Sequence, residues 1–208
     1  MSGLFVTLEG PDGSGKTTVA ELLRRRMNEA GMDFVMTREP GGTPISEKIR
    51  GLILDTENRE MDARCEALLY AASRAQHTEQ LIRPALQAGK LVLCDRYVLS
   101  SLAYQGAGRA LGMDAVASIN AFATKELQPD LVLFLDVDPV EVLRRKAREV
   151  EQDRLEEAGG DFHRRVYDGY REALRFAESV LVIDASRCAE QVAEEAWKAI
   201  TAYWEKRK

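Results

Sequence analysis

Leu4-Phe5-Val6-Thr7-Leu8-Glu9, running straight into Gly10-Pro11-Asp12-Gly13-Ser14-Gly15-Lys16-Thr17, is the stretch that decides how this chain is read. Six residues of strand-forming, mostly apolar character give way to eight that satisfy G-x-x-x-x-G-K-[ST] at every fixed position. Glycines in such a loop let the backbone curl until successive N–H groups converge on one centre, a geometry that cradles phosphate oxygens. The helix expected to start at Lys16 adds the positive end of its dipole. Lys16 is placed to reach the β- and γ-phosphates of a nucleotide, and the Thr17 hydroxyl to ligate Mg²⁺. Random chains of this length produce the pattern on the order of once in a hundred. The strand before it and the helix after it make chance rarer still.

Outward from this loop, short apolar runs alternate with longer helical patterns, the signature of a parallel sheet with crossover helices. Strands are predicted at Leu4–Glu9, Asp33–Arg38, Lys90–Asp95, Leu131–Asp136 and Val180–Asp184. Helices are predicted from Lys16 to about Ala30, from Thr43-Pro44 to Leu54, and from Asp62 towards Ala88 with a kink at Pro84. Further helices are predicted over Tyr97–Gln105, Asp114–Gln128, Val140–Arg148, Asp161–Glu178 and Ala189–Trp204. The polar, acidic segment Glu149–Gly160 reads as an exposed mobile loop. The expected fold is α/β: a five-stranded parallel sheet flanked by helices, in one domain spanning 1–208, with a mobile lid at about 144–160.

Composition narrows the setting. The chain has 208 residues, 45% of them hydrophobic and 30% charged, as in an ordinary globular protein. A net charge of −5 gives no global reason to bind nucleic acid, so an anionic ligand must be held by local cations. Cys65, Cys94 and Cys188 are odd in number, far apart and without metal-ligand spacing, which fits reduced thiols. No apolar run reaches bilayer-spanning length and no signal peptide is evident, so a cytoplasmic location and no membrane partner are expected. His77 and His163 lack ligand partners at useful spacing and are read as structural. Asp136 is read as a cap or buttress, and Trp197 and Trp204 as packing residues.

Three kinds of phosphate-loop protein compete for the pattern: a small-molecule kinase, a guanine-nucleotide switch and a motor ATPase. The switch needs a guanine-reading N-K-x-D, and none occurs. A motor would carry further ATPase motifs. A kinase needs a second anionic pocket facing the first and a lid to keep water away from ATP. Asp95-Arg96 ends the third predicted strand, where open α/β sheets bind ligands. There the aspartate can hold Mg²⁺ directly or through water, and the arginine offers a planar fork to a phosphate. Arg38-Glu39-Pro40-Gly41-Gly42-Thr43 sets another arginine at a strand end.

Taken together, four segments resemble thymidylate kinase of the bacterial type over essentially the whole chain. They are Glu9–Thr18; Thr37-Arg38-Glu39-Pro40-Gly41-Gly42-Thr43; Leu69-Tyr70-Ala71-Ala72-Ser73-Arg74-Ala75-Gln76-His77; and Asp95-Arg96-Tyr97 with Ser100-Ser101-Leu102-Ala103-Tyr104-Gln105-Gly106. The resemblance implies ATP and dTMP as substrates, Mg²⁺ as cofactor, dTDP as product and a homodimer. It implies that Gly10, Pro11, Asp12, Gly13, Ser14, Gly15, Lys16, Thr17 and Thr18 embrace the ATP phosphates and that Arg144 stacks on the adenine. It implies that Arg96 and Arg38 hold the dTMP phosphate, Arg74 bonds the thymine edge and Tyr70 stacks on the base. The family commonly has phenylalanine at the position of Tyr70. Ser101 and Gln105 would complete the base contacts, Tyr104 would crowd the ribose 2′ position, and Asp12 would touch the sugar 3′-hydroxyl. Some members carry an arginine in the phosphate loop where this chain has Gly13, and others place it in the lid. This chain resembles the second kind, with Arg148 and Arg154 as the candidates for stabilising transition-state charge. A kinase for another deoxynucleoside monophosphate and a nucleotide-dependent switch are the alternatives.

Overall fold

The computed structural model describes residues 3–138, 155 and 160–207. Its five strands are β1 (Leu4–Glu9), β2 (Phe34–Arg38), β3 (Leu91–Asp95), β4 (Leu131–Asp136) and β5 (Val180–Asp184). They form one parallel sheet in the order β2-β3-β1-β4-β5, as the sequence predicts in number and direction. The central strands β1, β3 and β4 are buried almost throughout, whereas the edge strands β2 and β5 are only partly covered. Helices on both faces explain the continuous apolar character of the central strands.

Alternate residues of the same strands feed cores on opposite faces. Leu4, Val6 and Leu8 of β1 pack with Leu23 and Met27 of α1 (Lys16–Glu29). Ala196 and Ile200 of α8 (Ala189–Glu205) complete that layer. On the opposite face Phe5 meets Val92, Tyr97 and Ile82. Phe134 of β4 packs there with Leu102, Phe162 and Tyr170, the last two from α7 (Gly160–Ala173).

The helices depart from the predicted bounds where backbone chemistry intervenes. The long predicted helix is α3 (Ala63–His77), a π-helical turn at Thr78–Ile82, and α4 (Arg83–Gln87). The irregularity lies before Pro84. Arg83 N–H donates to the Thr78 carbonyl five residues back, and Pro84 falls in the first turn of α4, where its missing N–H is not needed. After α5 (Val98–Ser101) the chain widens into a second π-helical stretch, Leu102–Gly108, which carries Tyr104 and Gln105. Helix α6 (Met113–Thr124) stops short of Gln128 because Lys125 and Glu126 take left-handed φ values of 47° and 58°. Helix α2 (Pro44–Leu54) follows the Gly41-Gly42 turn, and α7 ends at Ala173, short of the predicted Glu178, in a 3₁₀ turn at Leu174–Phe176. The predicted helix Val140–Arg148 lies outside the described residues. So does the predicted lid with Arg144, Arg148 and Arg154, apart from Leu155 and Gly160.

Register brings the carboxyl ends of four strands to one edge of the sheet. Arg38 lies opposite Asp95, Leu8 opposite Asp95, and Glu9 opposite Phe134. Every predicted strand-end site residue therefore reaches the same rim.

Candidate active site

The phosphate loop folds as its glycines require. Gly10 has φ 149°, and a Cβ there would lie 2.8 Å from the Leu135 carbonyl and 2.9 Å from Ser14 Oγ, so only glycine fits. Gly15, at φ 89°, starts α1 without a side-chain cap, and no acidic residue sits in the first turn. The first N–H groups of α1 are thus left for an external anion. Lys16 Nζ donates to the carbonyls of Gly10 at 3.0 Å and Pro11 at 2.8 Å, folded back over the loop. Burial and then the nearby Arg96 charge lower its pKa to about 8, against the opposing pull of Asp12, Asp95 and Glu9. The loop keeps one weakly held proton where phosphate charge would secure it. Beyond the loop, Gly13, Gly15 and Thr18 share a shallow cleft with Ala185 and Arg187, which follow β5.

A second cleft opens beside the loop, walled by Asp12, Pro40, Arg50, Tyr70, Arg96, Ser101, Tyr104 and Gln105, with Leu155 also on its wall. Arg96 lines this cleft and reaches from it to the phosphate loop. Its backbone takes φ 70°, a strained conformation for a non-glycine residue that turns the side chain back towards the loop. Nη1 donates to the Gly10 carbonyl at 3.0 Å, to Tyr170 Oη at 2.8 Å and to Ser100 Oγ at 3.2 Å, and Nη2 pairs with Asp12. Tyr104 donates to the other Asp12 oxygen at 2.5 Å, and its ring lies 5.2 Å beneath the guanidinium. Burial holds the Tyr104 hydroxyl well above its ordinary pKa, so it remains a donor. An anion arriving in this cleft would meet a guanidinium already aimed at the phosphate loop.

Under the wall lies a layer of buried charge. Glu9 is fully buried and accepts from the Tyr97 N–H at 2.7 Å and Ser100 Oγ at 2.6 Å. Burial raises its pKa against the hydrogen bond from Ser100 and the charge of Arg96. Arg74, 1% exposed, donates to Glu39 at 2.6 Å, Ser101 Oγ at 2.9 Å, the Tyr97 carbonyl at 2.9 Å and Asn120. The other Glu39 oxygen bonds His77 Nδ1 at 2.8 Å, and His77 Nε2 bonds Thr37 Oγ1 at 2.7 Å. Glu39, His77 and Cys94 bring ligand atoms within 4.8 Å of one another. Both His77 nitrogens are committed to oxygen partners, and Cys94 Sγ donates to the Arg96 carbonyl at 3.1 Å.

The family model described as thymidylate kinase matches residues 8–196. The chain is 55% identical over 189 residues to the thymidylate kinase of Finegoldia magna, covering 91% of this chain and 93% of the relative. It is 52% identical to that of Enterococcus faecalis, over 96% of each chain. It is 47% identical to that of Exiguobacterium sibiricum, over 100% of this chain and 98% of the relative. The chain belongs to the thymidylate kinase family.

Within this thymidylate kinase fold, Asp12, Tyr70, Arg96, Ser101, Tyr104 and Gln105 stand together on the second cleft. Two expected contacts are placed differently. Arg38 donates to the Pro40 carbonyl at 2.8 Å and pairs with Glu47 at 3.1 Å, at the rim rather than on the wall. Arg50 of α2 occupies the wall instead and donates to the same carbonyl at 3.0 Å. Arg74 lies beneath the wall, with four of its five N–H groups used inside the protein. The residues that sequence reading did not assign are Glu9, Glu39, Arg50 and Tyr170. Of these, Glu9 and Glu39 stand inside the quoted motifs and could have been singled out as acids next to expected arginines. Tyr170 gives no local signal, because it reaches Arg96 across 74 residues. Asp136, at the end of β4, accepts from Tyr167 Oη at 3.0 Å. Asp95 Oδ1 is buried without a hydrogen-bond partner among the described residues, and Thr17 is exposed at the start of α1. An orphaned carboxylate oxygen and an exposed hydroxyl are both of the oxygen-donor kind that a magnesium ion takes.

Proposed function

We propose that this chain transfers the γ-phosphoryl group of ATP to dTMP, giving ADP and dTDP, with the phosphate loop as donor site and the Arg96 cleft as acceptor site. The observation that carries this reading is the double engagement of Arg96 with Gly10 and Asp12 of the loop. One guanidinium on the wall of the second cleft thus reaches the phosphate loop, from which a phosphoryl group would cross. The acceptor phosphate oxygen is already anionic, so the reaction needs no strong general base. What the residues supply is alignment and charge neutralisation.

In this reading Lys16 leaves the Gly10 and Pro11 carbonyls for the β- and γ-phosphates, while the α1 N-terminus holds the triphosphate. Arg96 exchanges Asp12 for the dTMP phosphate, with Arg50 and Arg38 adding charge from the Pro40 side. Asp12, so released, accepts from the sugar 3′-hydroxyl, and Tyr104 fills the space a 2′-hydroxyl would need. Tyr70 stacks on the base over Ser101 and Gln105, and Arg74 approaches it from below. Thr17 and Asp95 would hold Mg²⁺, which neutralises charge on the β- and γ-phosphates. Arg148 and Arg154 are the proposed lid cations, and Arg144 the adenine contact.

We further propose one domain over 1–208, a homodimer and a cytoplasmic location. Leu68 on α3 and Phe122 on α6 are 56% and 89% exposed, and these helices pack against each other, which supports a subunit face. No described helix is long and apolar enough to cross a membrane. The deciding experiment is an acceptor panel with ATP and Mg²⁺. dTMP should be turned over far faster than dCMP, dGMP or dAMP. Hydrolysis of ATP unaffected by any of them would favour the nucleotide switch and overturn the kinase.

A further inference from the structure

Behind the base-facing end of the cleft, Gln105 Nε2 donates to Glu66 Oε1 at 2.9 Å. Glu66 is fully buried and is held from its far side by Arg109, whose Nη2 donates to Oε2 at 3.0 Å and whose Nε reaches Oε1 at 3.3 Å. Arg109 is itself braced 4.7 Å over the Phe162 ring. A carboxylate only accepts, so the amide of Gln105 must turn its nitrogen to Glu66. The amide oxygen is thereby forced the other way. Gln105 is 1% exposed and on the cleft wall, and its Oε1 is buried without a partner among the described residues. Such an acceptor is costly until a donor arrives, so it selects for one.

The geometry points to Glu66, locked by Arg109, as the positioning residue that makes this cleft demand an N–H donor from the base. Thymine and uracil carry a proton on N3. Cytosine presents a lone pair at the same atom, which would oppose the Gln105 oxygen. Glu66 does not touch the substrate. It acts by denying Gln105 the flipped orientation, in which Nε2 would serve a cytosine ring equally well. This inference rests on the proposed dTMP kinase activity and assigns part of its base discrimination to α3 and to the residue after the Leu102–Gly108 segment.

The test compares kcat/KM for dTMP and dCMP in the intact protein and in Glu66→Gln. A glutamine at position 66 can donate as well as accept, so Gln105 is free to turn over. The dTMP-to-dCMP ratio should fall roughly tenfold or more, chiefly through KM for dTMP, with KM for ATP unmoved. A folded Glu66→Gln protein with the wild-type ratio and wild-type KM overturns the proposal. If that variant does not fold, Glu66→Met removes the acceptor at similar length and must shift the ratio the same way. On the unmodified protein, N3-methyl-dTMP should be a poor acceptor while dUMP is accepted, and ready use of N3-methyl-dTMP also overturns it. An unmodified protein that fails to phosphorylate dTMP at all would instead defeat the functional reading itself.

Discussion

The phosphate loop and the cleft from which Arg96 reaches it are built by different means. The donor side consists of backbone: curled glycines, the start of α1 and a lysine bonded to carbonyls of its own loop. Thr17 and Thr18 are exposed there, and Arg187 at the far rim bonds Asp184 and Glu195. The acceptor side consists of side chains, and nearly all are held from behind. Glu9 carries Ser100 and Tyr97, Glu39 carries Arg74 and His77, and Glu66 carries Gln105 and Arg109. A triphosphate is read as charge, for which converging N–H dipoles suffice. A particular base and sugar are read as directed hydrogen bonds, which require donors and acceptors fixed before the ligand arrives.

The contrast breaks most visibly at Lys16. Lys16→Ala should lower turnover by at least 10²–10³-fold, the scale of losing one charge-stabilising group at a transition state. The protein should stay folded, since among the described residues Lys16 bonds within its own loop. Steady-state rates and a thermal melt decide it together. Retained turnover, or a collapse of the melt, would show that the lysine belongs to the framework rather than to the ligand.

On the acceptor side the same operation should damage the fold. Arg74 and Glu39 are 1% and 2% exposed at the side chain and 2.6 Å apart. Arg74→Ala leaves Glu39 buried with its charge half-answered, at a cost of about 3–5 kcal/mol. Urea denaturation should show that loss, and dTMP KM should rise more than ATP KM in whatever folded protein remains. An Arg74→Ala protein as stable as wild type would mean that the floor of the cleft is not preassembled.

A gentler probe uses the Lys16 proton. Its pKa of about 8 without ligand must rise when phosphate binds, so nucleotide binding takes up a proton above that pH. ATP affinity should be flat up to pH 8 and then weaken by up to about tenfold per pH unit, until the bound-state pKa is passed. Titration calorimetry from pH 7 to 9.5 in buffers of different ionisation heat would register the uptake. A flat affinity across that range would contradict a loosely held lysine proton.

The sheet, the phosphate loop and the strand-end pair Asp95-Arg96 were legible because each depends on residues adjacent in sequence. Strand periodicity and glycine spacing are local facts. The direction of a side chain beyond a strand end is not. Arg38 and Arg50 are equally cationic, yet only Arg50 reaches the wall, because the turn after β2 draws Arg38 to Pro40 and Glu47. Gly42 shows how tight that turn is: a Cβ there would lie 2.6 Å from both His77 Nε2 and Thr37 Oγ1. Likewise, the positive φ of Arg96 and the π-helical widening at Leu102–Gly108 set the direction of Arg96 and the phase of Tyr104 and Gln105. Neither has a compositional mark. Glu9, Glu39 and Glu66 function through burial, a property that emerges only once β1, β2 and α3 are packed.

Tyr70 is where the acceptor side should prove most forgiving. It stands on the cleft wall one turn of α3 after Glu66 and one turn before Arg74, and is the position at which the family commonly has phenylalanine. Its proposed work is done by the ring face, and a π-face is common to both residues. Tyr70→Phe should therefore change dTMP KM by less than about threefold, whereas Tyr70→Ala should raise it by roughly tenfold as the stacking area is lost. The pair of variants separates ring from hydroxyl. Were Tyr70→Phe to weaken dTMP binding as much as Tyr70→Ala does, the hydroxyl would join the directed hydrogen bonds of this wall, and the side built from polar side chains would extend to α3's outer turn as well as to its buried one.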